Sequence, residues 1–176
     1  MKKNSTRTKS KQNHVSALIL ADHKEIKELI GVLKDPEVTF AKKKPAYKKF
    51  ERALSSHSKA EEESLYVSLK EVEDLRMDGL EGETEHAIAD RLMREISEGI
   101  GDEDQWMAKV KVLAEVVDHH IKEEEKDVLK AVRAEFPLDK RVEIGNHYSQ
   151  LMDHYRTESR QTKQRFEYGN DQVSNV

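Results

Sequence analysis

The sequence predicts an all-α protein, an up-down-up-down four-helix bundle with an additional C-terminal helix. Three observations lead there. Apolar residues recur with a helical period through almost the whole chain. There are only 7 Gly and 3 Pro in 176 residues, too few for a turn-rich β fold. Connections between the periodic stretches are short, which makes neighbouring helices antiparallel.

Helix A is expected over about 14–34, with a stripe of Ile19, His23, Ile26, Ile30 and Leu33. Asp35-Pro36 ends it. Helix B spans about 43–72 and carries Tyr47, Phe50, Leu54, His57, Glu61, Leu65, Leu69 and Val72. The firm part of helix C is His86, Ala89, Met93 and Ile96, ending near Ile100, where Gly99 and Gly101 stop it. Asp102 or Asp104 is placed to cap helix D, about 104–135, whose stripe is Val110, Leu113, Val117, His120, Glu124, Val128 and Val132. Pro137 opens a fifth helix over about 138–166. The expected organisation is a flexible basic tail at 1–13, a bundle at 14–136, the additional helix at 137–166 and a polar tail at 167–176. Solvation is the default for the basic tail, and contact with an anionic partner is the alternative.

Composition narrows the function. The chain is 38% charged with a net charge of −4, which gives no general pull toward nucleic acid or anionic membrane. The run "KKK" at 42–44 lacks interleaved aromatics, a weak nucleic-acid signal. The run "VSALILA" is too short to span a bilayer. The expectation is a cytoplasmic protein with no nucleic-acid or membrane partner. With no cysteine, a thiolate metal site, an iron–sulfur cluster and a thiol nucleophile are excluded. There is no HExxH, no phosphate loop and no Ser triad, and Glu83 with His86 gives a single Glu-x-x-His.

The stripes contain an anomaly. Each of the four places a histidine, and two place a glutamate, where the period calls for apolar residues. On helix D, stepping from Leu113 through Val117 reaches His120, Glu124 and Val128, while His119 lies about 100° away on the flank. The same count on helix B selects His57 and Glu61 and leaves Glu62 and Glu63 in solvent. Counting residues from the turns permits one shared layer for the four histidines without requiring it, helix D fitting worst. Six buried polar groups would cost several kcal/mol unless mutually satisfied. A single His with Glu four residues on is common on charged helices, and a lone core His usually only hydrogen-bonds a neighbour. Two such pairs with two further stripe histidines form a nitrogen and oxygen donor set suited to iron, manganese or zinc.

The segments "ADHKEIKELI" (21–30), "HSKAEEESLY" (57–66), "EHAIADRLMREI" (85–96) and "VLAEVVDHHIKEEEKDVL" (112–129) resemble the hemerythrin-like family, in its HHE cation-binding variant, over roughly 14–136. The resemblance implies an up-down four-helix bundle around a non-haem di-iron centre that binds oxygen, senses oxygen or iron, or serves oxidative and nitrosative stress responses. The family pattern falls on His23, His57, Glu61, His86, His120 and Glu124. By resemblance Glu61 and Glu124 bridge two iron ions, with manganese or zinc as substitutes, while His23 and His57 serve one and His86 and His120 the other. The implied partner is a small ligand such as O2. A metal-free interaction module and a di-iron oxidase or peroxidase are the alternatives. Two positions depart from the pattern. Asp90 stands where oxygen carriers place a second helix C histidine, which argues against reversible carriage, and Val67 replaces a frequent proline.

Gly79 and Gly82 extend the helix C stripe backwards. The simpler expectation is that helix C begins late there; the sharper one is a void above His86 that admits a small ligand. His147 and His154 are read as surface or packing residues.

Overall fold

The computed structural model describes residues 14–99 and 102–171. The basic tail at 1–13, Ile100, the expected end of helix C, Gly101 and the last residues, 172–176, lie outside them. The described residues are all-helical, with no strand among them. Five long helices account for them. α1 is Val15–Lys34. α2 is Phe40–Glu61, continued by a π-helical turn at Glu62–Tyr66 and a last α-turn at Val67–Lys70. α3 is Arg76–Ser97, entered through a 3-10 turn at Glu73–Leu75. α4 is Glu103–Glu123, continued by a second π-helical turn at Glu124–Val128 and an α-segment at Leu129–Glu135. α5 is Leu138–Asp171. None is long and apolar enough to cross a membrane among the described residues.

Local chemistry sets most of the ends. Asp102 caps α4 by accepting from the Gln105 amide at 2.8 Å. Gly99 takes φ +100°, a left-handed conformation that ends the chain's helical path after α3. α2 starts three residues earlier than its stripe suggests, because Phe40 has a partner, an edge-on contact with Trp106 at 5.1 Å between ring centres. α5 runs to Asp171, beyond the expected 166.

Side-chain pairs give the directions. α1 and α4 run antiparallel, Lys34 meeting Asp118 and His23 meeting Glu125. α2 and α3 do so as well, from Ser97 with Glu51 to His86 with Glu62. So do α3 and α4, through Lys109 with Glu95 and His120 with Glu85. α5 packs on α1 and α2 through Ile144, Tyr148 and Met152, all buried.

The apolar interior has two parts. One gathers Ile26, Ile30, Phe50, Leu54, Met93, Leu113 and Val117 with Trp106. The other gathers Val15, Ile19, Leu65, Leu69, Leu129, Val132 and the α5 residues. The stripe histidines and glutamates lie between them along each helix.

Both expectations for Gly79 and Gly82 need correction. α3 begins at Arg76, so both glycines are inside it, and both are buried. The space above His86 is filled by the Tyr66 ring, since a Cβ on Gly82 would sit 2.6 Å from its Cζ, and what opens beside Gly82 is a small cleft of about 40 Å³ toward His120 and Glu124. The missing side chain is the slot for the Tyr66 ring, which also stacks on His86 at 5.3 Å between centres.

Two glycine substitutions therefore act with opposite sign. Gly82→Ala forces the buried Tyr66 ring to move and lowers stability by about 1–3 kcal/mol. Gly31→Ala, at an exposed helical position with nothing within 4 Å of the new Cβ, raises it by about 0.5–1 kcal/mol. Urea denaturation midpoints with a chelator present measure both.

Candidate metal centre

The six stripe residues are buried. His23 and Glu61 are 0% exposed, His57 1%, Glu124 2%, His86 3% and His120 6%. They meet at one depth in the bundle. The rings of His23 and His57 are 4.9 Å apart and those of His86 and His120 4.8 Å. Two donor groups result, one of His23, His57, Glu61 and Glu124, the other of Glu61, His86 and His120. Glu61 belongs to both. Its Oε2 is 3.3 Å from His57 Nε2 and 3.6 Å from His86 Nε2.

Each histidine is held from outside. His23 Nδ1 donates to Glu125 at 3.1 Å, His86 Nδ1 to Glu62 at 3.0 Å and His120 Nδ1 to Glu85 at 2.6 Å. His57 Nδ1 lies 2.8 Å from the Tyr148 hydroxyl, which donates its proton to Asp22 at 2.7 Å and so accepts from the histidine. Arg156 anchors Asp22 in turn at 2.7 Å. With the proton fixed on Nδ1 in all four rings, every Nε2 presents its lone pair inward, the tautomer a metal ligand needs.

Inside the layer, partners are missing. His23 Nε2, His57 Nε2, both Glu61 oxygens and Glu124 Oε2 are fully buried without a hydrogen bond. His23 Nε2 comes within 3.1 Å of Glu124 Oε2 but is not aligned for one. Buried polar atoms are normally satisfied, so five partnerless ones in a single layer need a missing partner. Lone pairs and carboxylates facing each other are a donor set that a cation would satisfy. Nitrogen and oxygen donors without sulfur fit iron, manganese or zinc.

The charge distribution agrees. Burial, then the neighbouring Glu124 carboxylate, pushes the Glu61 carboxyl well above the ordinary carboxylate range. Burial also pushes Glu124 upward, but His23, His120 and His86 outweigh it and hold Glu124 below that range. Two carboxylates buried this close repel each other's charge unless a proton or a cation lies between them. Burial drives the His57 imidazole well below its usual value. For His120 burial acts in the same direction, yet the hydrogen bond to Glu85 and the Glu124 charge prevail and raise it. His120 Nε2 is 3.2 Å from His86 Nε2, so two inward lone pairs face each other at a distance that calls for a proton or a cation between them.

The two π-helical turns position the carboxylates. Glu61 is the residue immediately before the first, and Glu124 opens the second. A π turn carries an extra residue, which rotates the helix beyond it and lets Leu69 and Val132 return to the core. The stripes carried this signal in their spacing, 57, 61, 65, 69 and 120, 124, 128, 132, since three consecutive steps of four exceed the α period.

His119 points away, 67% exposed and paired with exposed Glu123. Asp90 is exposed and belongs to neither buried donor group, bordering a surface hollow beside Glu51 and Ser55. It adds no donor. His147 and His154 are exposed. The expectation that Glu62 and Glu63 are merely solvated is corrected: Glu62 holds His86, and Glu63 accepts from Tyr155 of α5. The sequence reading also missed Glu85, Glu125, Asp22 and Tyr148, together with Tyr66, whose hydroxyl donates to Glu124 at 3.3 Å.

A family model described as Hemerythrin HHE cation binding domain matches residues 14–132. None of the curated proteins and none of the solved structures matches the chain.

A buried carboxyl that needs a cation weakens the metal-free protein. Because the folded-state value of Glu61 lies above the unfolded one, metal-free stability falls as pH rises past the ordinary carboxylate value of about 4. Glu61→Gln removes that loss and raises metal-free stability at neutral pH by about 1–3 kcal/mol. Unfolding with chelator at several pH values measures it: the variant's profile is the flatter of the two.

Proposed function

The chain belongs to the hemerythrin HHE cation-binding domain family, and from that premise we propose that it holds two iron ions between its apolar cores and engages O2 or a related small oxidant there. The observation that carries the proposal is the set of five buried, partnerless atoms on His23, His57, Glu61 and Glu124. A metal-free interaction module would leave them unpaired at a cost of about 1–3 kcal/mol each.

In this reading His23 and His57 bind one ion, His86 and His120 the other, and Glu61 and Glu124 bridge. The position of Glu61 Oε2 between His57 and His86 supports its bridging role. The two donor groups are unequal. The one with His86 and His120 has three donors against four, and Asp90 does not complete it. With Glu61 and Glu124 bridging, two histidines and two carboxylates reach each ion, and coordination positions beyond those four stay open to a small ligand. Iron bound in the layer would supply a change of oxidation state and a site for the oxidant. The protein's part is to fix the four Nε2 lone pairs, balance the cations with two carboxylates and keep bulk water out through the apolar layers on both sides. The antiparallel pairs support an up-down-up-down bundle over 14–136, with the additional helix supplying Tyr148 to the site.

Anaerobic ferrous loading followed by metal analysis is the test, with about two irons per chain expected. His57→Ala and Glu124→Ala abolish iron binding, and His119→Ala leaves the final iron content unchanged. Tyr148→Phe keeps the ligands but frees His57, so iron affinity drops about 10–100-fold. A change in the absorption spectrum on admitting O2 supports the oxidant part of the reading; loaded protein whose spectrum ignores O2 and peroxide contradicts it.

A further inference from the structure

A small cleft opens between α3 and α4 beside the second donor group. It encloses about 40 Å³, room for a small ion or a water. Asp78, Glu81, Glu85 and Glu123 line it, and no Lys or Arg does. Its inner lining is His120, Glu124 and the Tyr66 ring. Glu124 is 2% exposed and ends in an oxygen without a hydrogen-bond partner. The cleft therefore connects an acidic mouth to a buried, unsatisfied carboxylate. At the mouth, Glu85, His119 and Glu123 offer three ligand atoms within 4.8 Å of one another, outside the buried layer. Glu85 touches both places, since its carboxylate also holds His120 at 2.6 Å.

We propose that this cleft is the entry route for the metal, with Glu85, His119 and Glu123 as a transient surface site that passes a divalent cation inward to Glu124 and His120. The proposal rests on the metal-binding reading above. Along the bundle axis the layer is closed by the apolar side chains of the two cores, through which a hydrated dication does not pass. A narrow recess lined by one sign of charge concentrates counter-ions and speeds their capture, and salt weakens the effect. The mouth residues act on the rate of loading and not on the final occupancy, because none of Asp78, Glu81 and Glu123 belongs to either buried donor group.

The experiment is stopped-flow mixing of Co2+ with the full metal-free chain, following the visible absorption of bound cobalt at low and high salt, with final cobalt content measured separately. Asp78→Asn/Glu81→Gln/Glu123→Gln is compared with Asp139→Asn/Glu143→Gln/Asp153→Asn, which removes equal charge from α5. The cleft variant should load about fivefold or more slowly at low salt, with a weakened salt dependence and full final content. The α5 variant should load like the wild type. His119→Ala should also slow loading while reaching full content. If the cleft variant loads at the wild-type rate, or if both triple variants slow equally, the entry route is wrong and the metal centre stands. If the wild type takes up no cobalt, the metal reading and the entry route both fall.

Discussion

The structure depends on a single constraint: a layer of four imidazoles and two carboxylates crosses the middle of an apolar bundle, and five of its inward-facing atoms have no hydrogen-bond partner within the protein. An interior of this kind is unfavourable unless the polar groups are satisfied. Much of the surrounding architecture is arranged around the layer. The outer nitrogen of every histidine is occupied, by Glu125, Tyr148, Glu62 and Glu85. Gly82 gives Tyr66 the space to lie over Glu124 and His86. α5, beyond the segment matched by the family model, reaches back with Tyr148 and ties His57 to Asp22 and Arg156. Local stability is given up so that the lone pairs stay directed at a shared point, a trade typical of functional sites.

The π-helical turns show how a helix resolves a conflict between a ligand and its core. Glu61 and Glu124 must face inward one turn after His57 and His120, and the chain must then present leucine and valine to the second core. A uniform α period would carry the later residues off the stripe. One extra residue per turn restores the register, and it is inserted on α2 and α4, the two helices that carry both a histidine and a glutamate.

The buried layer was legible in the sequence because burial is periodic. His23, His57, Glu61, His86, His120 and Glu124 stand where the pattern calls for apolar side chains, and the same count separates His120 from His119 by about 100°. What surrounds the layer was less legible. Glu62, Glu85 and Glu125 occupy helix flanks that a hydrophobic stripe assigns to solvent, and their roles come from histidines on other helices. Tyr148 looks like an ordinary core residue of α5, and its hydroxyl gains meaning only from docking against α1 and α2. Gly82 suggested a break or a void because the sequence does not indicate which ring fills the slot left by an absent Cβ. Partnerships between helices are set by packing, and a one-dimensional period does not carry them.

The central claim is that the partnerless atoms of the layer face two cations. Anomalous diffraction at the iron edge from crystals of anaerobically loaded protein tests it directly. Two strong peaks are expected, one beside Nε2 of His23 and His57, the other beside Nε2 of His86 and His120, with the Glu61 carboxylate between them. An empty layer, or iron found only at the outer group of Glu85, His119 and Glu123, would contradict it.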